Sequence, residues 1–114
     1  MKLARRESDV LKVVKQWLEL HHWLVLRMNT GAFAGTYKGR TRFVRFGISG
    51  QADLLAIRRV CGSYPWPSVQ VCWLECKSST GEQGVHQAAF ARLVEQYGCS
   101  YRLVRGIEDL EGLE

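Results

Sequence analysis

Apolar residues recur at helical spacing between Glu7 and His22. Val10, Leu11, Val14, Trp17, Leu18 and His21 follow the i, i+3, i+4, i+7 pattern of one helix face. Glu7 precedes Val10, Leu11 and Val14 by three, four and seven positions. The same pattern therefore puts a carboxylate on the apolar face, where burial is costly unless something compensates it. Leu24 to Met28 predicts a short strand, and Gly31, Gly35 and Gly39 punctuate the segment that follows. Phe43, Val44 and Phe46 predict a second short strand, ended by a turn at Gly47 and Gly50. Asp53 to Ile57 and Val69 to Lys77 read as buried strands of an antiparallel hairpin, joined by the connector Gly62-Ser63-Tyr64-Pro65-Trp66-Pro67. A second helix is predicted from Val85 to Tyr97, with Phe90, Leu93, Val94 and Tyr97 as its apolar stripe. Gly98 takes the left-handed position that ends it. Ser100 to Val104 predicts a last strand and Ile107 to Leu113 a short terminal helix. This order predicts a single α/β domain over residues 1–114, a mixed sheet flanked by helices.

Charge adds a partner class. The net charge is +5 and the pI about 9.3, which points to a polyanion. The distribution sharpens this: Lys38, Arg40, Arg42 and Arg45 fall close together with no acid among them, while the tail from Glu108 to Glu114 is acidic. No apolar run approaches the ~18 residues of a membrane span, and no signal-peptide pattern opens the chain. An intracellular protein without membrane contact or organic cofactor is expected. Cys61, Cys72, Cys76 and Cys99 contain no CxxC pair. They read as free thiols, mostly buried, in a reducing compartment.

The strand ending at Lys77 carries the candidate chemistry. Alternation places Val71, Trp73, Glu75 and Lys77 on one face and Cys72, Leu74 and Cys76 on the other. Asp53 opens the preceding strand, so hairpin pairing brings it beside Glu75. Two convergent carboxylates make a hard-oxygen site suited to Mg²⁺. An adjacent ammonium can orient a water or steady charge developing on a phosphoryl group. Taken alone, Glu-x-Lys on a strand is an ordinary ion pair, and Asp after a glycine turn an ordinary turn residue. Gln87 precedes Phe90, Ala91 and Val94 by three, four and seven positions and so faces inward, either as a core-edge amide or as a group serving the site.

Gly50-Gln51-Ala52-Asp53 followed by Glu75-Cys76-Lys77 resembles the Gly-x-x-Asp and Glu-x-Lys pattern of the PD-(D/E)XK nuclease superfamily. With Glu7 upstream, Gln87 downstream, and Arg27-Met28-Asn29-Thr30-Gly31 after the first strand, the chain is similar to the VRR-NUC (virus-type replication-repair nuclease) branch over nearly its whole length. One departure is Ala52, where proline usually precedes the motif aspartate. The resemblance implies a restriction-endonuclease-like core and dependence on Mg²⁺ or Mn²⁺. Asp53 and Glu75 would be metal ligands, joined by the backbone carbonyl of Cys76 and, through water or a second ion, by Glu7. Lys77 would act on the nucleophile with Gln87 in support. Lys38, Arg40, Arg42 and Arg45, together with Arg27 and Asn29, would hold DNA phosphates.

The expectation is thus a structure-selective DNA endonuclease acting on branched DNA such as four-way junctions or flaps, in a prokaryotic or phage-infected cell. A non-catalytic binding module of the same fold and a restriction or toxin nuclease are the alternatives. No helix or ribbon suited to reading a groove is legible. Paired cuts on a two-fold substrate imply a homodimer, with Tyr64 and Trp66 of the connector as candidate interface aromatics; the other reading of Trp66 is a lid folded back on its own core.

Overall fold

The computed structural model describes residues 5–28, 31–46, 48–60 and 68–114, with 31–37 and 40–46 described as backbone. Asn29, Thr30, Gly47 and the connector from Cys61 to Pro67, including Tyr64 and Trp66, lie outside the described residues.

Helix α1 (Glu7–Leu20) forms where the helical spacing predicts it and buries Val10, Val14 and Leu18. It stops at Leu20 because His22 takes a left-handed backbone conformation (φ 67°), which a right-handed helix cannot continue. The His21 ring stacks on Trp17, centroids 3.8 Å apart.

Four strands make the main sheet in the order β1 (Leu24–Arg27), β4 (Leu54–Val60), β5 (Ser68–Cys76), β6 (Ser100–Val104). β1–β4 and β4–β5 are antiparallel and β5–β6 is parallel. Parallel neighbours need a crossover, and helix α2 (Val85–Gln96) supplies it. The sheet is therefore mixed and flanked by two helices, an α/β fold. Alternation sorts the strands between the helices. Leu54, Ala56, Cys72, Leu74, Cys76 and Val104 pack with α1, Leu110 and Leu113 in the larger core. Ala52, Trp73 and Tyr101 pack with Phe90 and Val94 of α2. Trp73 and Phe90 meet edge to face, centroids 5.0 Å apart.

Three expectations are corrected. The glycine-punctuated segment, given no element by the pattern, is a strand: β2 (Gly31–Tyr37) pairs along its whole length with β3 (Arg40–Phe46), the predicted second strand begun three residues earlier, as a separate two-stranded ribbon. Glycine weakens a strand taken alone, but here each β2 position from Gly31 to Tyr37 has a register partner on β3. The stripe of α2 is Phe90, Ala91 and Val94, while Leu93 and Tyr97 are exposed. Tyr97 is the cap residue, from which Gly98 (φ 87°) turns the chain away as predicted. The terminal helix shortens to a 3₁₀ turn, Ile107–Leu110. The chain beyond it is held by Trp23, whose indole N–H donates to the Leu113 carbonyl at 2.8 Å, and by Arg58, which donates to Leu113 and Glu114.

The two leucines separate these packing assignments. Leu74 is fully buried, so Leu74→Ala should lower unfolding free energy by about 2–5 kcal/mol. Leu93 is 43% exposed, and Leu93→Ala should change it by no more than about 0.5 kcal/mol. Urea denaturation of the two variants measures both.

Candidate metal centre

The β4–β5 register builds the site. Leu54 lies opposite Leu74, so one step beyond the pairing Asp53 meets Glu75. The backbone N–H of Cys76 donates to Asp53 Oδ2 at 2.8 Å, fixing that carboxylate at the strand end. On the other side, Met28 N–H donates to the Asp53 carbonyl at 2.7 Å. Before Asp53, Gly50 sits against the first turn of α2 with φ 79°. A Cβ there would collide with the His86 carbonyl, so glycine is required both by conformation and by space. Ala52 is fully buried against α2. The Gly-x-x-Asp spacing is thus the tether that docks the turn on α2 and delivers the aspartate to the sheet.

Glu75 is only 2% exposed, the one charged or polar residue among the described residues that is buried. Its Oε1 accepts from Gln87 Nε2 at 2.8 Å and lies 3.7 Å from Lys77 Nζ. Its Oε2 is buried with no hydrogen-bond partner. Gln87 is itself oriented: its Oε1 accepts the Gly84 N–H at 2.7 Å, covering a free donor at the start of α2. Gln87 therefore positions Glu75, and both readings of this residue meet in one amide.

Ligand atoms of Glu7, Asp53 and Glu75 lie within 4.8 Å of one another. The structure corrects one premise about Glu7: it is exposed, not buried. It is the first residue of α1, and the core of that helix begins a turn later at Val10. Its place is set by a contact that local spacing could not reveal. Arg5 pairs through its backbone with Ser79, and its guanidinium donates to Glu108 Oε1 at 2.8 Å and to the Arg105 carbonyl at 3.0 Å. Arg105 in turn donates to the Gly81 carbonyl, tying down the loop after Lys77.

The electrostatics follow from burial. Desolvation, then the neighbouring Asp53, raise the Glu75 pKa from 4.5 to about 7; Lys77 opposes the shift and Glu7 adds to it. Ionised, three carboxylates facing one ammonium leave two excess negative charges. A divalent, oxygen-seeking ion fits that deficit, and the buried Glu75 Oε2 becomes a free ligand atom once Glu75 gives up the proton it would otherwise share with Asp53. The thiols do not compete for it: burial raises Cys72 to about 11 and Cys76 to about 12, and both lie in the α1 core. Cys99 is half-buried, and Cys61 is outside the described residues.

The predicted phosphate contacts are not gathered here to the same degree. Arg27 ends β1 opposite Leu54 and is exposed at the same end of the sheet. Lys38 is exposed at the tip of the ribbon, and Arg40, Arg42 and Arg45 occupy backbone positions on β3. Asn29 is outside the described residues. Among the described residues, no helix is long and apolar enough to cross a membrane. Comparison with protein-family models, with curated proteins and with solved structures gave no match.

Because the Glu75 pKa is raised on folding, the unfolded chain gives up this proton first as pH rises. Metal-free stability should therefore fall between about pH 4.5 and 7, by roughly 3 kcal/mol at most from this group. Mg²⁺ or Mn²⁺ at pH 7.5 should restore it by mass action. Glu75→Gln should flatten the decline and abolish the metal response. Thermal melts across pH, with and without each ion, test both; a parent melting curve indifferent to both ions would remove the metal.

Proposed function

We propose that the chain is a metal-dependent DNA endonuclease that hydrolyses phosphodiester bonds, with branched DNA such as four-way junctions or flaps as its substrate. One observation carries the reading: a buried carboxylate with an unpartnered oxygen, flanked by two further carboxylates and a lysine, at the open end of a sheet. The positive net charge and the acid-free segment around Lys38 to Arg45 favour a polyanionic substrate over a small phosphoester. The resemblance to VRR-NUC and PD-(D/E)XK nucleases in Gly50-x-x-Asp53 and Glu75-x-Lys77 supplies the DNA and the branch.

Asp53 and Glu75 would hold the ion, with the Cys76 carbonyl beside them and Glu7 at the rim. When bound, Mg²⁺ or Mn²⁺ supplies charge neutralisation at a phosphoryl oxygen and a more acidic water. Hydrolysis forms a bond from water oxygen to phosphorus and breaks the opposite ester bond; the water loses a proton and the departing oxygen gains one. Lys77, 13% exposed and 3.7 Å from Glu75 Oε1, would orient the water and steady the charge growing on the phosphoryl oxygens. Gln87 keeps the Glu75 carboxylate from rotating. Symmetric incision of a four-way junction calls for two copies of this site, and sedimentation at micromolar concentration reads the stoichiometry.

Substitutions separate these roles. Asp53→Asn and Glu75→Gln should abolish cleavage of labelled junction, flap and duplex substrates in Mg²⁺ or Mn²⁺ while leaving the chain folded. Lys77→Ala should retain the metal-induced rise in melting temperature yet cleave about 10²–10⁴-fold more slowly in single turnovers. Lys77→Arg should not rescue it, because a guanidinium is bulkier and does not deprotonate. Gln87→Ala should slow cleavage less than either acid substitution. Parental cleavage by Asp53→Asn or Glu75→Gln would overturn the assignment.

A further inference from the structure

Residues 31–46 form an antiparallel ribbon that, among the described residues, pairs with no strand of the main sheet. Seven residues on each strand close on Lys38 and Gly39, both exposed and both with positive φ (51° and 73°). Such a turn matches the twist of a tight hairpin. The register sets Arg40 opposite Tyr37, Arg42 opposite Gly35 and Arg45 opposite Ala32. The positions of Arg40 and Arg42 therefore share one face of the ribbon, that of Arg45 belongs to the other, and Lys38 stands at the tip. No acid occurs in the segment.

The ribbon is rooted beside the acid cluster at both ends. On the entering side, Arg27 pairs with Leu54 and Met28 N–H donates to the Asp53 carbonyl. On the leaving side, the turn Ile48 to Gln51 closes on itself through Gln51, and Gly50 seats it against the first turn of α2, one residue from Gln87. The described residues nearest each end of the ribbon in the chain, Met28 and Ile48, therefore lie close to Asp53 and to the start of α2.

We propose that the ribbon is a duplex-binding arm that lies in the major groove of B-form DNA beside the bond to be cut, its cations meeting phosphates on both groove walls. The proposal rests on the nucleic-acid reading above and specifies the form of nucleic acid. Two strands ~4.8 Å apart make a ribbon that a groove about 12 Å wide admits. Seven residues reach about 23 Å, or roughly six to seven base pairs at ~3.4 Å each. A-form RNA has a deep, narrow major groove that does not admit it. B-form duplex next to the scissile bond is therefore the recognised element, and RNA duplex is disfavoured.

The test is binding in EDTA, read by fluorescence anisotropy on a 20-base-pair DNA duplex and on the RNA duplex of the same sequence. The combined variant Lys38→Gln, Arg40→Gln, Arg42→Gln and Arg45→Gln should bind the DNA duplex at least about tenfold more weakly near physiological salt. Its log–log salt dependence should flatten by roughly 0.9 for each phosphate that is no longer neutralised. The RNA duplex should be affected much less. Gly39→Val keeps every charge but strains the turn, and it too should weaken DNA-duplex binding. Unchanged DNA affinity in the combined variant, equal weakening on DNA and RNA, or parental binding by Gly39→Val would each overturn the groove-bound arm. Cleavage does not enter this measurement. Ribbon-dependent DNA binding by a chain that never cleaves would sink the nuclease and leave the arm standing, and the converse result would sink the arm alone.

Discussion

Leu54 lies opposite Leu74, and this register ties the core to the site. Side chains alternate across a sheet, so a slip of one residue would send Leu54 and Ala56 away from α1 and put Asp53 out of step with Glu75. The apolar faces that hold the sheet between α1 and α2 are therefore the device that pairs the two acids. Stability and chemistry share one constraint, and the site cannot loosen without the hairpin changing register.

The same arrangement carries a cost. An orphaned buried carboxylate oxygen next to a second carboxylate opposes folding, and Lys77 and Gln87 offset only part of that at Oε1. The protein accommodates it at the end of a strand, where Glu7 arrives from a helix start and Lys77 from the strand exit. The charges stand at the rim of the core, so their repulsion strains the sheet end and not its middle.

Much of this is legible in the sequence because it is local or periodic. Alternation in β5 and the hairpin reading place Asp53 beside Glu75, and helical spacing turns Gln87 inward. Spacing gives the angle of a residue around a helix but not its depth along the axis. That is why the pattern puts Glu7 in the core while the structure puts it one turn outside. Half of the ribbon is legible, since Phe43, Val44 and Phe46 mark β3, while its partner is hidden because Gly31, Gly35 and Gly39 read as punctuation when the pairing strand is not considered. The Arg5 clamp onto Ser79 and Glu108 joins residues 74 and 103 positions apart, and no local pattern encodes it.

Cys76 has a further use. Its thiol is buried among the α1-facing residues and its backbone N–H holds Asp53, so the residue belongs to the core by its side chain and to the site by its main chain. With its pKa raised to about 12, the thiol is almost wholly protonated and inert at neutral pH while β5 stays in place. Its alkylation must wait for that strand to open. The labelling rate of Cys76, read beside that of Cys72 on the same strand, therefore reports how often the strand that carries Glu75 opens.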